Sequence, residues 1–101
     1  MVQTNKGKFE ITLANWLLKL REEKGLSQDA LAVQLGKGQS DIAKIENGSK
    51  RITVFELLSW MIALDIPYGR LDEVLGPIYN SLANKEKIWN KQDEHLSLIH
   101  I

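Results

Sequence analysis

Three glycines constrain this chain more than any other feature. Gly25, Gly36 and Gly48 each follow a run whose apolar residues recur at helical spacing. Glycine takes the left-handed conformation that closes a helix, so the first half of the chain divides into short helices joined by tight turns. Leu13, Trp16, Leu17 and Leu20 form the stripe of a first helix, about Thr12 to Lys24. Arg21 and Lys24 fall in its last turn, where cations suit the helix dipole. Ser27 reads as the N-cap of a second helix, Gln28 to Leu35, with Asp29 in its first turn and Leu31, Ala32 and Leu35 inward. A third, about Gln39 to Glu46, buries Ile42 and Ile45 and stops at Asn47-Gly48.

The second half continues the pattern less sharply. Ser49, Lys50, Arg51 and Ile52 form a loop, and Thr53 with Glu56 makes a capping box for a fourth helix carrying Leu57, Leu58, Met61 and Leu64. Asp65-Ile66-Pro67 breaks the chain, because proline disfavours helix at the residue before it. Arg70 to Leu75 is expected as a short fifth helix with Leu71, Val74 and Leu75 inside, ended by Gly76-Pro77. No strand is needed up to that point. Beyond it, Ile78, Tyr79, Leu82, Ile88 and Trp89 keep a loose helical spacing across the polar NKEK, and HLSLIHI is compatible with a short strand. The expected organisation is an N-terminal arm over residues 1–11, a five-helix domain over 12–76 and a C-terminal extension over 77–101. Lys6 and Lys8 would make the arm either a strip along a polyanion or a solvated terminus.

Composition bounds the function. A chain of 101 residues with 44% apolar content suits one domain with a real core. Without cysteine it has no disulfide framework and no thiolate metal site. No apolar run approaches the ~18 residues of a membrane span. MVQTNKGKFEIT lacks the apolar stretch of a signal peptide, so a soluble cytoplasmic protein is expected. The balanced net charge hides an asymmetry: residues 1–51 hold nine basic and six acidic side chains, residues 52–101 four and seven. The first half therefore suits a polyanionic partner and the second half another task.

The stretch GKGQSDIAKIENG, residues 36–48, carries the sharpest chemistry. Opposite Ile42 and Ile45 its helix presents Gln39, Ser40, Asp41 and Lys44, an amide, a hydroxyl, a carboxylate and an ammonium. Two short helices across a tight turn are the helix-turn-helix arrangement, whose second helix enters the DNA major groove. Leu26-Ser27-Gln28-Asp29-Ala30-Leu31-Ala32, Leu35-Gly36 and Ile42-Ala43-Lys44-Ile45-Glu46-Asn47-Gly48 resemble the Cro/C1-type (XRE) family of phage and bacterial repressors over roughly residues 12–75. The resemblance implies an all-α, five-helix, lambda-repressor-like DNA-binding domain, here with a C-terminal extension, that regulates transcription on double-stranded DNA.

Major-groove chemistry points the same way. Gln pairs bidentately with adenine, Lys with guanine O6 and N7, and Ser with several acceptors. Gln39, Ser40 and Lys44 are the base-reading candidates. Asp41 has two readings, acceptor from a cytosine amine or cap of its own helix, and Lys37 stands at the helix entrance. By resemblance Gln28 bonds a phosphate and braces Gln39. Asn47, Ser49, Lys50 and Arg51 would hold neighbouring phosphates, which fixes register without reading sequence. A merely solvated face is the bland alternative. Two departures from the family pattern, Lys37 and Gly38, keep base preference from being transferred from relatives.

One such domain reads few base pairs, so a homodimer on a palindrome is expected, with Leu75, Ile78, Tyr79, Leu82 and Trp89 as interface candidates. Trp89 reads equally as cover for the domain's flank. An alternative of another class is an antitoxin that binds its own promoter and neutralises a toxin through residues 77–101; protein-protein scaffolding on the same fold is a third. No cofactor, metal or membrane partner is expected. Catalysis finds no footing: His95 and His100 stand in the tail without ligand company, and the adjacent pairs Glu22-Glu23 and Asp72-Glu73 diverge on a helix.

Overall fold

The computed structural model describes residues 2–89, with side chains described over 7–84. Five α-helices and no strand stand among the described residues: α1 (Val2–Glu23), α2 (Gln28–Leu35), α3 (Gln39–Glu46), α4 (Val54–Ala63) and α5 (Asp72–Trp89), with a 3₁₀ turn at Tyr68–Leu71 before α5. The first four helices end alike. Gly25, Gly36, Gly48 and Asp65 have φ of +73°, +66°, +82° and +57°. In each case the following amide donates back across the turn, as Ile66 N–H does to the Met61 carbonyl at 2.8 Å. This left-handed closure satisfies carbonyls the helix leaves unpaired. At the other end, Ser27 Oγ caps α2 and Thr53 with Glu56 forms the complete capping box of α4.

The apolar stripes converge on one core. Leu17, Leu20, Leu31, Ile42, Ile45, Trp60 and Met61 are its fully buried side chains, joined by Trp16, Ala32, Leu57, Leu64, Ile66 and Val74. Burying a large aliphatic side chain is worth roughly 1.5–3 kcal/mol, which short helices need because few of them stand alone. α2 packs on α3 and α4, while α1 packs on α3 and α5. The outcome for α3 is specific: Ile42 and Ile45 hold it down, and its opposite face is left to solvent.

Three expectations need correction. Residues 2–11, read as an arm ahead of the domain, continue α1 as helix. No proline interrupts them, and Gly7 within a helix costs only about 1 kcal/mol. Gly76-Pro77 does not end the fifth helix, which runs through Pro77 to Trp89. Pro77 lies in the second turn and forfeits the bond to the Glu73 carbonyl, while buried Val74 and half-buried Ile78 anchor the helix on either side. Leu75, expected inside, is 40% exposed. His95, His100 and the HLSLIHI segment lie outside the described residues.

Candidate nucleic-acid interface

The outer face of α3 is built from below. On its inner side, Glu46 follows Ile42 and Ile45 into the core and is itself buried. Its carboxylate accepts from Arg21 Nε at 2.6 Å and Nη2 at 3.0 Å, and from Gln28 Nε2 at 2.9 Å. Arg21 Nη1 also donates to the Leu26 carbonyl at 2.6 Å, tying the end of α1 to the start of α2. The bond to Glu46 raises the pKa of the Arg21 guanidinium above its usual value, against the opposing effect of burial. Gln28, held by Glu46, accepts from Gln39 Nε2 at 2.6 Å. A polar chain thus runs Arg21, Glu46, Gln28, Gln39 from buried to exposed, and it fixes the first side chain of the α3 face.

Gln39, Ser40 and Lys44 are all exposed on that face, as expected. Asp41, half-buried beside them, accepts from Lys50 Nζ at 3.3 Å, and that bond holds its carboxyl below the ordinary carboxylate range. The N-cap of α3 is Gly38, which has no side chain to offer. Lys37 stands apart. Its ammonium donates to Glu56 Oε2 at 3.0 Å, which turns it toward α4 and away from Gln39, Ser40 and Lys44. The base-reading candidates therefore divide: four share a surface, and Lys37 is drawn off by the capping carboxylate of the next helix.

The turn after α3 gathers the remaining polar candidates. Asn47 Oδ1 accepts from the Ser49 amide at 2.9 Å and its hydroxyl at 2.6 Å, a compact side-chain turn that shapes the loop. Lys50 and Arg51 follow, both exposed, with Arg51 Nε 2.8 Å from Glu10 Oε2. Gly48 is required here twice over: its φ is left-handed, and a Cβ would stand 3.2 Å from Ile11 Cγ1. On α5, Leu75, Tyr79 and Leu82 are 40%, 70% and 46% exposed, spaced to share one stripe, whereas Ile78 turns toward the core. Trp89 ends α5, and its side chain lies outside the described residues.

Sequence reasoning missed Arg21, Glu46 and Glu10 as parts of this surface. A signal existed for two of them. Glu46 is four residues from Ile42 and Arg21 four from Leu17, so both sit on apolar stripes, where a charge needs a partner. Glu10 and Arg51 are too far apart in sequence for any spacing rule to pair them.

Comparison with known proteins agrees with the all-helical fold. A family model described as helix-turn-helix matches residues 17–71. Among solved structures, the restriction-modification controller protein C.AhdI from Aeromonas hydrophila is similar at 33% identity and a TM-score of 0.54, over 56% of this chain and 86% of that one. A variant of the restriction-modification controller protein C.Esp1396I is similar in fold, with 23% identity and a TM-score of 0.64 over 71% of this chain and 92% of its own. No curated protein matches the chain by sequence.

Proposed function

This chain belongs to the Cro/C1-type helix-turn-helix family of DNA-binding transcriptional regulators, which are not enzymes, and from that premise we propose that it is a sequence-specific repressor binding a palindromic operator as a homodimer. The observation that carries the reading is the two-sidedness of α3. Ile42 and Ile45 are buried, and Gln39, Ser40 and Lys44 stand free on the opposite face, with Gln39 braced by Gln28. A helix of this width fits the major groove, where an amide, a hydroxyl and an ammonium find base-edge partners.

In this reading Gln39, Ser40 and Lys44 contact bases, and Asp41 accepts from a cytosine amine where the operator offers one. Gln28, Asn47, Ser49, Lys50 and Arg51 hold phosphates on either side and set the register. Lys37, paired with Glu56, is a weaker candidate for base contact. The exposed stripe Leu75, Tyr79 and Leu82 meets its copy in the dimer, with Trp89 a further candidate from the sequence, and places two α3 helices about 34 Å apart on one side of the duplex. An occupied operator then blocks polymerase. The likeness to two controller proteins supports transcriptional control as the task.

Selection of bound sites from random duplexes tests this directly. A palindromic consensus is expected. Gln39→Ala and Lys44→Ala should each weaken binding to it by ~1–3 kcal/mol and blur single positions, while Lys50→Ala should weaken all sequences alike. Recovery of no consensus, or the same behaviour from all three variants, would sink the division of roles.

A further inference from the structure

We propose that Glu10 occupies, in the free protein, the place of a DNA phosphate on Arg51, so that docking on a duplex exchanges one anion for another. The inference rests on the assignment of Arg51 to the DNA backbone. Glu10 Oε2 lies 2.8 Å from Arg51 Nε, and the Arg51 side chain is 69% exposed against 31% for Glu10. A guanidinium fork fits carboxylate and phosphate oxygens equally well, and Arg51 remains open to an incoming phosphate.

The contact is set by packing. Ile11 presses on Gly48 so closely that a Cβ there would stand 3.2 Å from Ile11 Cγ1, which brings the neighbouring Glu10 onto the loop after α3. Beneath the pair is a cavity of about 100 Å³ floored by Leu13, Leu17, Ile45 and Ile52. The adjacent cation is treated alike, since Lys50 Nζ lies 3.3 Å from Asp41 Oδ1. Both cations of the loop are thus carboxylate-bound, whereas Lys44 makes no ion pair among the described residues. Glu10 also lies outside the residues matched by the family model, 17–71, so the device belongs to the helical extension at the start of α1.

The physical consequence has one sign. A phosphate reaching Arg51 displaces Glu10, and the carboxylate is left facing a polyanion. Phosphate contacts carry no sequence information, so Glu10 lowers the grip on any duplex and leaves discrimination to the α3 face. Exposed ion pairs are weak, so the exchange trims affinity without abolishing it.

A four-way comparison tests the exchange. Wild type, Glu10→Gln, Arg51→Ala and the double variant are titrated by fluorescence anisotropy with a random-sequence duplex at low and high salt. Glu10→Gln is expected to bind roughly two- to fivefold tighter. The gain should shrink as salt rises and vanish in the Arg51→Ala background. In the DNA-free protein, the Arg51 Nε–H NMR signal should shift in Glu10→Gln while the circular dichroism spectrum stays unchanged. Equal affinities of wild type and Glu10→Gln, a gain that survives Arg51→Ala, or an unmoved Nε–H signal would each overturn the exchange. If wild type binds no duplex even at low salt, the DNA reading fails and the exchange with it; if it binds and only the Glu10 effect is missing, the exchange alone fails.

Discussion

At the scale of single residues, Glu46 connects stability to recognition. It is buried, accepts two bonds from Arg21, and holds Gln28, which in turn holds Gln39. Glu46→Ala would leave the Arg21 guanidinium buried without its counter-charge, and breaking such a pair costs about 3–5 kcal/mol. Urea denaturation should therefore register a loss at the lower end of that range, because Arg21 keeps its bond to the Leu26 carbonyl. Glu46→Gln should lose less, since an amide oxygen still receives a donor. If Glu46→Ala were as stable as wild type, the pair would not be holding α1 to α3. These two residues were open to inference from charge on an apolar stripe; Glu10 was not, because only the packing of Ile11 on Gly48 brings it to Arg51.

At the scale of elements, helix ends decide where the chain turns. Asp65 closes α4 at φ +57°, a conformation that costs most side-chain-bearing residues roughly 1–2 kcal/mol, and it sets a carboxylate beside the negative end of the helix. Asp65→Gly is expected to raise the thermal midpoint, by a gain of about 0.5–1 kcal/mol; an unchanged or lower midpoint would mean that Asp65 makes a compensating contact. At the start of α4, Glu56 accepts from the Thr53 amide and from Lys37, and these bonds hold its carboxyl below the ordinary range. A lowered folded value means that the bonds stabilise the fold fully above about pH 4.3, the unfolded glutamate value, and that this is lost as pH falls through the folded value. Asp41 follows the same rule through Lys50. Thermal unfolding followed down to about pH 3 should show a falling midpoint, with a shallower fall in Glu56→Gln. An equally steep fall in that variant would remove Glu56 from the account.

At the scale of the whole molecule, the two candidate surfaces stand on different helices. One is the polar face of α3 with its following loop, the other the exposed stripe of Leu75, Tyr79 and Leu82 on α5. An apolar stripe of that kind, left uncovered, invites association. Tyr79→Glu should halve the mass measured by sedimentation equilibrium and reduce operator affinity while leaving the helical circular dichroism signal intact. A wild type that sediments as a monomer at the concentrations where it binds DNA would remove the homodimer from the proposal.

The chain's own pattern determined the helices α2 to α4, the core stripes, the glycine stops and the polar face of α3, because all of these depend on neighbours within a few residues: periodicity, caps and backbone freedom are local. Tertiary structure decided the rest. α5 runs on through Pro77 because buried Val74 and half-buried Ile78 anchor it to the core on either side of the proline. It also decided which charges meet. Lys37 with Glu56, Lys50 with Asp41, Arg51 with Glu10 and Arg21 with Glu46 are pairings across separate elements, fixed only when the core brings those elements together.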